Sequence, residues 1–186
     1  MEENTPRRKV TIDLVKANIF SIVLMVGTAI ALLVPYYLLW HPTTSLLGHG
    51  ATPLEWLAIL AVMLAGIVAH ELIHGLTWSC YAPSGWQSIR FGVIWKMLTP
   101  YCHCNEPLPK RAYMLGAMMP CLVLGLAPAL TALAIGCLPL LLWGIFFIAA
   151  ASGDIWMTWL LTKERPDSLI LDHPSEAGFY VIEATA

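Results

Sequence analysis

The stretch "GIVAHELIHGLTW", residues 66–78, sets two histidines and a glutamate inside an otherwise apolar run. The run around it, about Glu55–Tyr81, is long enough to cross a bilayer core of about 30 Å as a helix. An ionisable side chain at the centre of such a helix costs about 2.5–3.5 kcal/mol on insertion scales. Three such groups within five positions therefore need compensation, which a bound metal or a polar cavity can supply. His70 and His74 are four apart and share one helix face. Their imidazoles can close on one ion, and Glu71 lies beside them. This is the H-E-x-x-H pattern, in which two histidines ligate zinc and the glutamate acts as general base.

Working outward, three more stretches reach membrane length: about Ile19–Trp40, Ala112–Ile135 and Leu138–Leu161. The chain of 186 residues is 58% hydrophobic and only 12% charged, with mean hydropathy +0.70. Soluble domains carry about 25% charged residues, so water is not the main solvent expected here. A net charge of -2 argues against nucleic acid as a partner. The first apolar run is too long for a cleaved leader and reads as a retained anchor.

The basic residues set the orientation. Arg7, Arg8, Lys9 and Lys16 precede the first span. Arg90, Lys96, Lys110 and Arg111 separate the second and third, and Lys163 and Arg165 follow the fourth. The other two loops contain no Lys or Arg. The positive-inside rule then puts both termini in the cytoplasm, and the cytoplasmic membrane of a bacterium is the expected location. The expected fold is an all-α integral membrane protein of four transmembrane helices with a small cytosolic β-element. Its parts are a cytosolic segment 1–18, a membrane domain 19–161 with a cytosolic hairpin loop at about 82–111, and a cytosolic tail 162–186. Five cysteines, three of them on the cytoplasmic side, imply reduced thiols.

A catalytic zinc site needs a third protein ligand. Asp154, in "AAASGDIW", is the only charged residue between Arg111 and Lys163. If the second and fourth spans run the same way, His70 and Asp154 both lie roughly 22–24 Å from the outer face at 1.5 Å per residue. Ala149–Gly153 and Gly66 are small and let the two helices approach. His70, His74 and Asp154 are therefore the expected ligands of one Zn2+ ion, with Glu71 as catalytic base.

The combination of "AHELIHG", "SGD", "YCHCNEPLPKRAY" and "DHPSEAGFYV" resembles the putative zincin peptidase family of small membrane proteins, over about Thr11–Ile182. More distantly, spans two to four resemble the core of site-2-type intramembrane metalloproteases. The likeness implies His70, His74 and Asp154 as ligands and Glu71 as base. This Asp follows glycine rather than preceding it, and no PDZ-like domain is present.

Phe91–Trp95 is β-branched and aromatic, so a hairpin or re-entrant segment is expected near Ser88–Glu106. It could offer an edge strand to an unwound substrate. In a strand, Cys102 and Cys104 face one way and His103 the other, which favours packing over metal binding for "CHCNE". His103 or Asn105 could still donate to a developing oxyanion. Ser168–Leu171 and Phe179–Ile182 read as tail strands that pair with the hairpin.

The expected activity is hydrolysis of a peptide bond near the cytoplasmic side of the bilayer, on a peptide or transmembrane-protein substrate. The rival reading is a non-proteolytic metal-containing membrane protein that holds a partner helix.

Overall fold

The computed structural model describes residues 7–41, 52–95, 99–173 and 178–183. Residues 42–51, 96–98 and 174–177, which fall within the expected first loop, hairpin segment and tail, lie outside the described residues.

Two long helices open the chain. In α1 (Leu14–Trp40) the carboxylate of Asp13 accepts the backbone N–H groups of Val15 and Lys16, satisfying donors that the first turn leaves unpaired. The second helix, α2 (Pro53–Ser79), starts from a capping box: the Thr52 hydroxyl accepts the Glu55 N–H, and the Glu55 carboxylate accepts the Thr52 N–H.

The third apolar stretch is helical throughout but not uniform. It comprises α3 (Lys110–Pro120), a π-helical stretch at Cys121–Leu126 and α4 (Ala127–Ile135). Pro120 and Pro128 bracket the wide segment. Neither has an N–H to give, and both crowd the preceding turn, so the backbone between them winds wider. Gly136 ends α4 in the left-handed region at φ 72°, a conformation that suits glycine.

The fourth stretch departs from the straight rod that the sequence suggests. It is two helices, α5 (Leu138–Ala150) and α6 (Ser152–Leu161), bent by 46° at Ala151. The run of small residues explains this: with little side-chain packing to hold a straight axis, the chain turns there. The Ser152 hydroxyl meets that of Ser21 on α1 at 2.7 Å. Asp154 thus lies in the first turn of α6 rather than in the middle of a continuous helix.

Three helical stretches, Val15–Trp40, Pro53–Ser79 and Lys110–Ile135, are long and apolar enough to cross a membrane, and the bent pair makes a fourth if counted as one span. The most apolar window of α1 has no buried residue, with Ile22, Leu38 and Leu39 all exposed. A contiguous apolar face of that kind calls for lipid or a partner. At the same end of the bundle, the Tyr36 hydroxyl donates to the Gly136 carbonyl and the Trp40 indole to that of Leu133.

Two sheets flank the Trp78 end of α2. A hairpin pairs β2 (Ile89–Ile94) with β3 (Thr99–Cys104), antiparallel. A separate antiparallel sheet runs in the order β1-β6-β5-β4, from β1 (Arg7–Thr11), β4 (Leu108–Pro109), β5 (Leu169–Asp172) and β6 (Gly178–Ile182). The tail strands therefore pair with each other, β6 also with the N-terminal β1 and β5 with β4, and not with the hairpin, contrary to expectation. The physical reason is visible at β3, where the outward-pointing Cys104 N–H is taken by the side chain of Asp172 instead of a strand. The buried core beneath this sheet joins Leu108, Tyr113, Leu161, Ile170, Phe179 and Val181.

Candidate metal centre

His70 and His74 occupy successive turns of α2 and are 7% and 3% exposed. Gly66, one turn earlier, has no room for a Cβ against Trp143 and Phe147 of α5, so its lack of a side chain lets these helices touch. The bend after α5 then carries Asp154 to the histidines. Its Oδ2 lies 3.2 Å from His70 Nε2 and its Oδ1 3.4 Å from His74 Nε2. One ligand atom from each of the three residues lies within 4.8 Å of the others, the one such group of His, Cys, Asp or Glu among the described residues.

A local hydrogen bond fixes the chemistry of His74. Its Nδ1 is 2.9 Å from the carbonyl oxygen of Gly116, which can only accept. Nδ1 therefore carries the proton, and in the neutral ring Nε2 presents a lone pair to the Asp154 carboxylate. Two acceptors face each other there and repel unless a metal ion or a second ring proton lies between them. At 3.4 Å the pair is longer than an ordinary N–H···O hydrogen bond. It matches the separation of about 3.3 Å between two ligands held 2.0–2.1 Å from a tetrahedral ion. The residues present thus fit a divalent metal. The Nδ1 of His70 is buried without a hydrogen-bond partner, so this ring is oriented by packing, including the near-parallel Phe147 ring.

The surroundings of His74 are more elaborate than the motif discloses. Trp78, one turn later, stacks on it at 5.1 Å between ring centroids, and Tyr113 of α3 stacks in turn on Trp78 at 5.2 Å. The Trp78 indole N–H donates to the Tyr113 carbonyl. Gly116 makes this approach feasible, since a Cβ there would overlap the Trp78 indole.

Glu71 lies on the same turn as the histidines and is half-buried. Its carboxylate lies near β3 and is close enough to both histidines and Asp154 to interact electrostatically. It also borders a cavity of about 180 Å³ whose other lining residues are Val68, Leu72, Phe91, Gly92, Pro100 and Tyr101. The hairpin rests on α2 at Gly75, where Phe91, Ile89 and Cys102 fill the space a side chain would need. The Asn105 N–H donates to the Ser88 carbonyl, and with the register Ile89↔Cys104 this fixes which groups face outward. On β3 they belong to Pro100, Cys102 and Cys104: Pro100 has no N–H, and that of Cys104 donates to Asp172. On β2 they belong to Ile89, Phe91 and Val93, and no strand pairs with that edge among the described residues.

His103 and Asn105 are not brought to this cluster. His103 alternates to the other face of β3 from Cys102, bonds Asn105 at 2.5 Å, and lines a separate cavity of about 380 Å³ with Arg7, Leu171, Asp172 and Tyr180. Cys104 is buried and Cys102 packs on α2. Gly116, Trp78, Tyr113 and Asp172 escape sequence reasoning as parts of the site. Only Trp78, four residues after His74, carries a usable spacing signal.

Paired helical histidines, a carboxylate from a neighbouring apolar helix and an adjacent glutamate define a candidate metal-dependent hydrolase site among apolar helices. Comparison with family models agrees: residues 62–169, more than half of the chain, match the model described as putative zincin peptidase. The chain belongs to that family. No curated protein and no solved structure matches it.

Proposed function

We propose that this chain is an integral membrane zinc metallopeptidase that cleaves a peptide bond near the cytoplasmic side of the bilayer. In this reading the four apolar stretches are four spans and both termini are cytoplasmic, as the one-sided Lys and Arg distribution supports. The bacterial cytoplasmic membrane is the setting proposed. The observation that carries the reading is the convergence of His70 Nε2 and His74 Nε2 on the Asp154 carboxylate, on the helix turn that also carries Glu71.

His70, His74 and Asp154 would hold the ion, a set of three protein ligands as in catalytic zinc sites. Zinc, when bound, polarises a carbonyl and makes water nucleophilic at neutral pH. Glu71 takes the proton from the attacking water, holds it on its carboxylate and delivers it to the leaving amine nitrogen. The apolar lining beside Glu71 keeps bulk water away from the bond being cut. An extended substrate is required, because a helix hides its carbonyls in its own hydrogen bonds. The outer edge of β2, with which no strand pairs among the described residues, suits such a segment, whereas on β3 the N–H of Cys104 is given to Asp172 and Pro100 has none.

The test is Glu71→Gln, with hydrolysis of a membrane-protein library and zinc content both read. Retained zinc with hydrolysis lowered by about 10²–10⁴-fold, the usual worth of a general base, supports a peptidase. Unchanged hydrolysis removes Glu71 from the chemistry. A wild-type chain that holds zinc yet cuts nothing favours the rival reading, a metal-containing protein that binds a partner helix.

A further inference from the structure

Asp172, near the end of β5, lies beyond the matched segment 62–169 and outside the metal cluster. Its carboxylate accepts the Tyr113 hydroxyl with one oxygen and the Cys104 N–H with the other, the latter at 2.9 Å. One tail side chain thereby joins α3 and β3. Both elements lead directly to the site. On α3, Tyr113 holds Trp78 through its carbonyl and ring, and Gly116, three residues on, fixes the tautomer of His74. On β3, Pro100 and Tyr101 line the cavity that Glu71 borders, and Cys102 packs on α2 at Gly75. Moving Asp172 would let α3 slide against α2 and let β3 lift from Glu71 together.

We propose that Asp172 is a positioning residue of the metal centre, setting the orientation of His74 through Tyr113 and that of Glu71 through β3. The inference rests on the metallopeptidase reading for its kinetic consequence but not for its geometric one. Asparagine can keep both contacts, accepting from the Cys104 N–H and donating to the Tyr113 oxygen. Alanine loses both.

The experiment compares full-length wild type, Asp172→Ala, Asp172→Asn and Tyr113→Phe in bilayer discs. It measures zinc affinity, kcat and KM, and the histidine ¹⁵N spectrum assigned to His74. Asp172→Ala is expected to weaken zinc binding and lower kcat by about tenfold or more, as removal of a group that orients a metal ligand does. KM should change little, and His74 should become a mixture of tautomers. Asp172→Asn should restore all three, and Tyr113→Phe, which breaks only one contact, should shift them in the same direction by less. Tyr113→Phe also decides the case if the alanine variant does not fold. The proposal is overturned if Asp172→Ala frees the tail while zinc affinity, kcat and the tautomer stay as in wild type. It is equally overturned if Asp172→Asn is as defective as Asp172→Ala. A wild-type chain that binds no zinc and cuts nothing defeats the metallopeptidase reading instead, and the His74 spectrum then decides this inference alone.

Discussion

Glu71 and His70 differ in what their loss should do, although they are neighbours in one turn. His70→Ala removes a proposed ligand, so zinc content per chain should fall below half of wild type, read by elemental analysis of purified protein. Retention of full zinc would remove His70 from the ligand set. Asp172 adds a pH signature. Burial raises its pKa, and the bonds from Tyr113 and the Cys104 N–H only partly offset that. A carboxyl whose folded pKa lies above its unfolded value contributes stability at pH below the ordinary carboxylate range. That contribution is lost as pH rises through the raised value. The thermal midpoint of wild type should therefore fall relative to Asp172→Asn as pH rises through that window, measured by circular dichroism. A constant gap between the two would contradict it. At this scale the motif residues were legible because charge in an apolar run is conspicuous. Tyr113 and Gly116 were not, since a buried aromatic and a small residue in a helix look alike whether or not they touch a ligand.

The elements were legible in proportion to how one-sided their environment is. Long apolar helices announce themselves, and the hairpin and both tail strands fall close to their expected places. The bend at Ala151 did not, because small residues are as compatible with close packing as with a change of direction. Nor did β1: "RRKVT" is mostly charged, and of its five residues Val10 is the one apolar side chain that packs on the core. Arg8 instead pairs with Glu164. The contact between α2 and α3 yields a sharp expectation. Gly116→Val must push the Trp78 indole aside and should cost about 1–3 kcal/mol, as overpacking does, while loosening His74 from its carbonyl. Thermal unfolding together with zinc affinity checks this, and no change in either would mean that α2 and α3 are not in contact there.

For the molecule as a whole, charge asymmetry and helix count lead to a testable orientation. Cys80, just after α2, is exposed, and Cys137, between α4 and α5, is half-buried. In the proposed four-span arrangement they fall on opposite sides of the membrane. A membrane-impermeant maleimide applied to intact spheroplasts should label single-cysteine Cys137 and spare Cys80 until the membrane is opened. The opposite pattern would overturn the orientation. Because β6 pairs with β1 and β5 with β4, the tail shares the side of the N-terminal segment, so a cysteine placed at Thr162 should be spared from outside as Cys80 is.

The most direct measurement of the central claim is anomalous scattering at the zinc absorption edge from crystals of the purified chain. A single peak enclosed by His70, His74 and Asp154 is the expected result. Full data without a peak there, or with the Asp154 carboxylate turned away from both imidazoles, would contradict a metal centre.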